Sequence, residues 1–259
     1  MVVKPFLIIA LTVILGSCSK ENTAPTGNEQ LSKIEVYDPS TQSTSTTEYK
    51  YDNAGNLIEI YSSGGNAPEK QTLLYDGSGN ILSNTLTNNA GNVYKYDFQI
   101  DLNGRITKAL GTAFLQNWFI DNHTYTYDDK GRLTIDSAFT QSGTLNSYVN
   151  FTYDNNDNVI AYQQYVNDGT SIIDVNNTTV EYDNKRSPYF KVGQLLYTSL
   201  GGSGVSYFYL SKNNTTTATL NNAILTPGGK FVYEYYDNSL LKTSTVNVPD
   251  ALKFTFYYN

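Results

Sequence analysis

Few residues of this 259-residue chain could do chemistry, since it contains one Cys, one His and one Trp. Zinc sites built from several Cys or His ligands, including the HExxH helix, need more ligands than the chain holds. A nucleophilic triad would have to use His123, and Cys18 has no second Cys with which to form a disulfide. We therefore expect no metal, no cofactor and no catalytic residue. An enzyme with a carboxylate centre is the catalytic alternative that remains.

Trp118 and His123 lie in an aromatic segment, residues 114–123. One hypothesis makes them a ligand-binding site, with Trp118 as a platform for a sugar ring and His123 as its polar neighbour. The alternative is a strand whose aromatic residues pack into the core. Oxygen-rich turns such as residues 154–158 could offer ligands to Ca²⁺, but they lack the EF-hand spacing. Asp and Asn are also the usual residues of tight turns.

The composition predicts an all-β protein. The chain has 23 Tyr, 30 Thr and 29 Asn, so residues typical of strands and turns outnumber helix-forming ones. The formal net charge of −7 lacks the basic surface that contact with phosphate backbones requires. We therefore expect no nucleic-acid partner.

The N-terminus has the pattern of an export signal. Residues 1–17 combine one Lys, an apolar run from Phe6 to Leu15 and two small residues, as in a secretory signal peptide. The run is too short to span a bilayer. Residues 15–18, Leu-Gly-Ser-Cys, resemble a bacterial lipobox, which implies that Cys18 is acylated and that a lipid membrane is a partner. Residues 18–30 then carry the lipidated Cys and a polar, flexible tether.

The Ser-Lys-Glu that follows Cys18 is similar to the signal that exports Bacteroidota lipoproteins to the cell surface. This similarity implies an outer-membrane protein that is lipid-anchored and faces the cell exterior. The periplasmic face of the same membrane is the alternative.

A seven-residue unit recurs through the mature chain, with a Tyr in first, an Asp in second and a Gly in fifth position. Seven units begin at Tyr or Ile residues separated by 24, 25, 27, 26, 29 and 53 positions. The Asp can accept hydrogen bonds from backbone N–H groups of a turn, and the Gly can adopt a positive φ and close a bulged hairpin. The predicted structural turn residues are Asp52, Gly55, Asp76, Gly79, Asp101, Gly104, Asp128 and Gly131.

The segments around each unit alternate aromatic and polar residues, which indicates strands with one buried face. Seven hairpins need about fourteen strands, more than the ~10 that an open twisted sheet tolerates before it curls. We therefore predict an all-β fold: a long antiparallel meander of hairpins, twisted or curled into a half-open barrel with its aromatic rows inside. Residues 31–259 form one domain in this interpretation, with a divergent insertion at residues 185–229.

The Tyr-Asp-x-x-Gly-Asn/Arg-Leu unit resembles the YD repeat of the rearrangement-hotspot (RHS) and teneurin families, which build shells of β-sheet. The chain also resembles a Bacteroidota lipoprotein family of unknown function that carries a few such units behind a lipobox. An RHS shell encloses a C-terminal toxin, whereas here one strand follows the last unit. The second resemblance therefore fits better and does not imply a toxin shell.

These observations predict a non-enzymatic, surface-exposed outer-membrane lipoprotein whose YD-repeat sheet is a scaffold for binding or adhesion. The partner is a glycan or a protein ligand that the sequence does not identify. The alternative is a glycan-binding lipoprotein of a polysaccharide-uptake system. An outward row of Tyr residues would favour that alternative.

Overall fold

The computed structural model describes residues 29–64, 68–89, 91–114, 121–199, 207–220, 230–246 and 250–259. Within these ranges sixteen strands form a single antiparallel sheet. The strands are β1 (Leu31–Asp38), β2 (Ser43–Tyr51), β3 (Leu57–Ser63), β4 (Glu69–Tyr75), β5 (Ile81–Asn88), β6 (Gly91–Ile100), β7 (Ile106–Ala113), β8 (Asn122–Tyr127), β9 (Leu133–Phe139), β10 (Leu145–Tyr153), β11 (Val159–Asn167), β12 (Ile172–Arg186), β13 (Asn213–Leu220), β14 (Phe231–Tyr235), β15 (Leu241–Val246) and β16 (Lys253–Tyr258).

The sheet curls into a barrel in which the first and last strands of the chain are neighbours. β16 runs antiparallel to β1, with Phe256 opposite Ile34, and every other neighbour is consecutive in sequence. The predicted antiparallel meander is confirmed, and the expected half-open barrel is a nearly closed one. Its one unsealed seam lies between β13 and β14. β1, β13 and β16 are not strands of a repeat hairpin, since β13 follows the segment that contains the helices.

Five of the repeat units form a hairpin turn held by their Asp, at Asp52, Asp76, Asp101, Asp128 and Asp154. In the first unit Asp52 Oδ1 accepts the backbone N–H groups of Ala54 and Asn56 at 2.9 and 2.8 Å, and Oδ2 accepts Asn56 Nδ2 at 2.9 Å. Gly55 has a φ of +87°, and the strands shift register next to Tyr51, which is the predicted bulge. Where the Gly is replaced, Asp157 and Ser239 adopt the same positive φ. These turns lie at one end of the barrel, which we call the repeat rim.

The Tyr that begins a unit links one hairpin to the preceding one. Tyr75 donates its hydroxyl to the backbone carbonyl of Leu57 at 2.8 Å, and Tyr153 donates to Leu133 at 2.8 Å. The same bond joins further pairs: Tyr51 to Leu31, Tyr127 to Ile106, Tyr182 to Val159 and Tyr258 to Leu241. Burial raises the pKa of Tyr75 to about 12. Each Tyr therefore fixes the spacing of adjacent hairpins in a partly dry environment.

The barrel interior is mostly apolar, and the outer wall carries ion pairs together with exposed apolar side chains. Tyr96 and Tyr162 are buried on the inner face with Leu133 and with residues of most other strands. The outward positions between them carry ion pairs, including Lys50 with Glu59 at 2.6 Å. The period-two alternation of each strand therefore places its side chains alternately on the inner and the outer face, as the sequence pattern predicts.

The space inside the barrel is filled by the segment that connects β12 to β13. This segment contains α1 (Gly193–Ser199) and a 3₁₀ helix (Tyr207–Leu210). Its described residues, 187–199 and 207–212, are called the plug below. Tyr197 packs edge-on against Phe151 of β10, and Tyr189 packs against Phe256 of β16, so the plug contacts opposite parts of the wall.

Residues 185–229 are the stretch that the sequence analysis treats as a divergent insertion. Its described parts are the end of β12, the plug and β13. Residues 200–206 and 221–229 lie outside the described residues. Inside the plug the fit is close: a Cβ at Gly193 would lie 1.7 Å from the carbonyl oxygen of Tyr209, so a side chain is excluded there.

Two glycines of the second repeat turn test how much the positive φ costs a residue that carries a side chain. Gly79 has a φ of +84°, and a Cβ added at Gly79 or at Gly77 would have no other atom within 4 Å. Gly79→Ala should lower the free energy of unfolding by about 1 kcal/mol, because only the left-handed backbone is penalised. Gly77→Ala should leave that free energy within a few tenths of 1 kcal/mol or raise it slightly. Urea unfolding curves of both variants check this, and equal losses would contradict it.

Candidate functional site

A buried polar cluster joins the plug to the barrel wall. His123 Nδ1 on β8 lies 2.8 Å from Asp136 Oδ1 on β9, and the Tyr197 hydroxyl of α1 donates to Asp136 Oδ2 at 3.0 Å. His123, Asp136 and Tyr197 are 5, 4 and 1% exposed. The ring of His123 stacks on Tyr125 and meets the edge of Tyr96. One carboxylate therefore holds both an imidazole and a phenol inside the core.

Two further contacts attach the end of α1 to the wall. Tyr125 donates its hydroxyl to the carbonyl of Thr198 at 3.0 Å, and Asn84 Nδ2 donates to the carbonyl of Ser199 at 2.9 Å. Both acceptors belong to the last turn of the helix, whose carbonyls have no partner within the helix itself. Wall side chains therefore cap α1. Asn84 Oδ1 and Ser199 Oγ, both buried, have no hydrogen-bond partner in the described part of the chain.

Burial dominates the electrostatics of this cluster. Desolvation raises the pKa of Tyr197 well above its usual value, and the charge of Asp136 and the hydrogen bond to it add to the shift. Desolvation also raises the pKa of Tyr125, again assisted by Asp136. Both phenols therefore stay protonated and act as donors at neutral pH.

The arrangement is suited to clamping the plug rather than to turning over a substrate. An acid–base pair must reach the reacting group of a bound substrate, and His123 and Asp136 are enclosed by aromatic rings. Removing either partner of such a buried pair leaves the other without compensation, which is strongly destabilising. Asp136 is also the one buried carboxylate among the residues that the structure describes.

The outer wall carries one stacked pair of aromatic rings. Tyr148 of β10 and Tyr165 of β11 are directly opposite each other in the register, with ring centroids 4.5 Å apart and planes at 13°. Their strand neighbours Val149 and Phe151 are buried, so the alternation places the two Tyr residues outside. The side chain of Gln163 accepts a hydrogen bond from the hydroxyl of Tyr165 at 3.4 Å. An outward aromatic surface with polar neighbours can take the apolar face of a sugar ring.

The structure separates the residues that the sequence suggested as sites. Cys18 and Trp118 lie outside the described residues. His123 lies in the core against Asp136, so it is not placed at a surface platform. The eight repeat turn residues lie along the repeat rim. They are Asp52, Gly55, Asp76, Gly79, Asp101, Gly104, Asp128 and Gly131.

The carboxylates of the repeat rim are already hydrogen-bonded within their own turns. Hydrogen bonds from the side chain and the backbone of Asn56 lower the pKa of Asp52, and Asn80 does the same for Asp76. Arg105 bonds Asp101 and Arg132 bonds Asp128, so these oxygens are also occupied. Among the described residues, no group of three or more His, Cys, Asp or Glu side chains could hold a metal ion.

The sequence reasoning missed Asp136, Tyr197 and the Tyr148–Tyr165 pair. For Asp136 a signal existed, because it shares a strand face with Ala138 and is a carboxylate on an apolar face. Tyr197 lies in a segment without repeat units, so nothing local marked its partner. The pairing of Tyr148 with Tyr165 depends on the register of two strands, which the hairpin at residues 154–158 sets.

No described helix is long and apolar enough to cross a membrane.

No protein-family model matches the chain, and no curated protein matches its sequence. Among solved structures, the fold is similar to a porin-like protein from Bacteroides uniformis, with a TM-score of 0.61 and 15% identity over 88% of this chain and 98% of that chain. A porin-like protein from Bacteroides vulgatus gives a TM-score of 0.56 and 15% identity over 89% of this chain and 99% of that chain. These two likenesses show a shared barrel fold.

A third likeness is weaker. The Photorhabdus luminescens Tc holotoxin pore aligns with a TM-score of 0.35 and 12% identity, over 78% of this chain and 12% of that chain. That score is too low to show a shared fold.

The buried tyrosines predict a specific alkaline transition. Burial raises the pKa of Tyr51, Tyr75 and Tyr94 to about 12 in the folded chain, whereas an exposed Tyr titrates near ~10. Their contribution to stability is therefore complete below about pH 10 and is lost as the pH rises toward the folded pKa. We expect the free energy of unfolding to fall steeply above about pH 10.

The measurement follows tyrosinate absorbance and circular dichroism in one alkaline titration. Most tyrosinate should appear together with the loss of strand signal, since ionisation of the inner rings requires unfolding. Full ionisation of the tyrosines with the strand signal intact would contradict the burial argument.

Proposed function

We propose that this chain is a non-enzymatic binding lipoprotein of the outer membrane, anchored by acylated Cys18 and displaying its barrel as a rigid scaffold outside the bilayer. The observation that carries the proposal is the filled, largely apolar interior of the barrel together with the ion pairs on its outer wall. Such a barrel is stable in water and needs another element to hold it at a membrane. The lipobox-like segment supplies that element.

The ion pairs on the outer wall argue against a barrel embedded in lipid, although exposed apolar side chains such as Leu74 and Ile160 share that wall. A membrane barrel has an outward apolar band, and a Lys or Arg at mid-bilayer costs about 2–4 kcal/mol. Here ion pairs of Lys33 with Glu35 and of Lys95 with Asp97 lie on outward positions of β1 and β6. Several such residues around the ring would make insertion very unfavourable.

The filled interior argues against a channel. Sixteen-stranded porins leave an aqueous lumen, whereas here α1 and its neighbours occupy that space and Tyr197 is fully buried there. The two similar solved structures are described as porin-like, and that description fits the wall of this chain better than its lumen. A binding scaffold uses the rims and the outer wall instead.

The position of the tether orients the scaffold. Glu29 donates its backbone N–H to the carbonyl of Asn259, and Gln30 Nε2 donates to the carbonyl of Gly55. The chain therefore enters the barrel at the repeat rim. The sequence predicts a tether of about a dozen residues after Cys18, which as a random coil would span roughly 20 Å. In this proposal the repeat rim faces the membrane and the opposite rim faces outward. The net charge of −7 supports a partner other than nucleic acid.

The anchor is tested by Cys18→Ala in a cell fraction assay. The variant should move from the membrane fraction to the soluble one and should lose incorporation of labelled fatty acid. Gly77→Ala, which alters only an exposed turn, is the control and should stay in the membrane fraction. Unchanged fatty-acid labelling of Cys18→Ala would overturn the anchor.

Two substitutions report which face of the outer membrane the protein occupies. Ser142→Cys alters an exposed turn at the opposite rim, and Ala54→Cys alters an exposed turn at the repeat rim. Acylated Cys18 would not react, so a maleimide that cannot cross membranes reports only the new thiol. Labelling of Ser142→Cys in intact cells supports surface exposure. Labelling only after permeabilisation of the outer membrane supports the periplasmic face.

Glycan binding is a second candidate, which the Tyr148–Tyr165 pair favours. Stacking on a sugar ring needs an outward aromatic surface, and the pair supplies one beside Gln163 and Asn177, which are opposite each other on β11 and β12. Tyr148→Ala should then weaken binding to the polysaccharide by roughly tenfold, since such aromatic contacts contribute on the order of 1 kcal/mol.

A polysaccharide panel immobilised on a surface provides the measurement. Tyr61→Ala on β3 is the control, since Tyr61 faces outward without a stacked ring partner in the described chain. Equal losses for Tyr148→Ala and Tyr61→Ala, or no bound polysaccharide, would count against this candidate.

A further inference from the structure

One row of outward residues crosses the wall from β7 to β12 and passes through the stacked tyrosine pair. The register places each residue of this row directly opposite the next one. In strand order the row contains Lys108, Thr124, Ser137, Tyr148, Tyr165 and Asp174. Thr124 and Ser137 point outward, because both sequence neighbours of each are buried on the inner face. The row therefore has an aromatic centre, short side chains on one side of it and a charge at each end.

The stacking of the two tyrosines decides which of their surfaces is free. Their ring centroids are 4.5 Å apart and their planes differ by 13°, so each ring covers one face of the other. The remaining face of Tyr148 is turned toward β9, and that of Tyr165 is turned toward β12. On the β9 side the next residues of the row are Ser137 and Thr124, whose short side chains leave space above the sheet. We call the surface bounded by Tyr148, Ser137, Thr124 and Lys108 the shelf.

The width of the shelf suits one sugar residue. Three strand spacings separate Tyr148 from Lys108, which is roughly 14 Å between their backbones at ~4.8 Å a strand. A pyranose ring stacked on the free face of Tyr148 lies above β9. The long, flexible side chain of Lys108 extends toward such a ring from β7.

The charges around the shelf favour an anionic ligand. Lys108 is exposed and forms no ion pair within the described ranges, whereas Lys95 on the neighbouring strand is paired with Asp97. Strands β8 to β11 contain one carboxylate, that of Asp136, and it is buried on the inner face. A carboxylate bound on the shelf would therefore meet one cation and no outward acidic group of these four strands.

The other free face of the tyrosine pair is less suitable for an anion. Asp174 is directly opposite Tyr165 on β12, and its carboxylate accepts a hydrogen bond from the side chain of Asn177. An anionic ring stacked on Tyr165 would lie beside that carboxylate and be repelled by it. The free face of Tyr148 is the better surface for such a ring.

We infer that the shelf binds a uronic acid residue of an acidic polysaccharide, with the sugar ring on the free face of Tyr148 and its carboxylate beside Lys108. The hydroxyls of Ser137 and Thr124 lie below the ring, where they can bond its hydroxyl groups. This inference rests on the glycan-binding candidate and narrows the ligand from any polysaccharide to an anionic one.

Binding of the purified protein to immobilised polygalacturonate and to its methyl ester tests the inference. The ester keeps the sugar ring and removes the charge, so polygalacturonate should bind about fivefold more tightly, the effect of one exposed ion pair. Lys108→Gln should lose this preference and bind the two polymers alike. Lys253→Gln removes the same charge from an exposed position on β16 and should keep the preference of the wild type.

Covering one free face at a time separates the shelf from the other side of the tyrosine pair. Ser137→Tyr places a ring opposite Tyr148 on β9 and should abolish polygalacturonate binding. Asp174→Tyr places a ring opposite Tyr165 on β12 and should bind at least as tightly as the wild type. Both variants should stay folded in circular dichroism melting curves, because aromatic cross-strand pairs on an outer face stabilise a sheet.

The outcomes distinguish this inference from the glycan-binding candidate on which it rests. Equal binding of the ester and polygalacturonate to the wild type would overturn the inference and leave glycan binding in place. Wild-type preference in Lys108→Gln, or wild-type binding by folded Ser137→Tyr, would do the same. If no polysaccharide of the panel binds the wild type, the inference and the glycan-binding candidate both fail.

Discussion

A ring of sixteen strands encloses more space than its own inward side chains can fill. Eight strands already leave an interior that side chains just fill, and sixteen leave a wide lumen. Because protein interiors are close-packed, an apolar inner wall of this width needs further chain inside it. The plug meets that need: Tyr197 packs on Phe151, and Tyr189 packs on Phe256 across the barrel. The polar cluster at Asp136 and the seam both follow from the way the plug enters.

The seam lies where the repeat breaks. Five consecutive units close hairpins through the same Asp contacts, but the sixth leads from Asp183 into the plug. When the chain returns as β13, it pairs with β12, and in the described part of the chain side-chain hydrogen bonds such as that of Tyr233 join it to β14. The cavity beside the seam is a local consequence of that interruption. The closure of the barrel, the filling of its interior and the cavity at the seam thus have one origin.

Much of the wall was predictable because its determinants are local. Five of the turns depend on an Asp and a residue with positive φ within five positions, and each strand depends on period-two alternation. The site was less predictable because its contacts join distant segments. The hydroxyl of Tyr197 bonds a carboxylate 61 positions away, and Tyr125 bonds a carbonyl 73 positions away. His123 was noticed as a rare residue, yet its role depends on Asp136 across the β8–β9 hairpin.

The sequence by itself determined the all-β class, the hairpin turns and the inward rows of aromatic residues, since these depend on neighbours a few positions apart. Only the tertiary structure decided that β1 and β16 close the ring and that residues 187–199 and 207–212 fill it. It alone showed the stacked Tyr148 and Tyr165 outside and the cavity at the seam. Ring closure and lumen filling are set by the total number of strands and the volume they enclose, which no short pattern encodes.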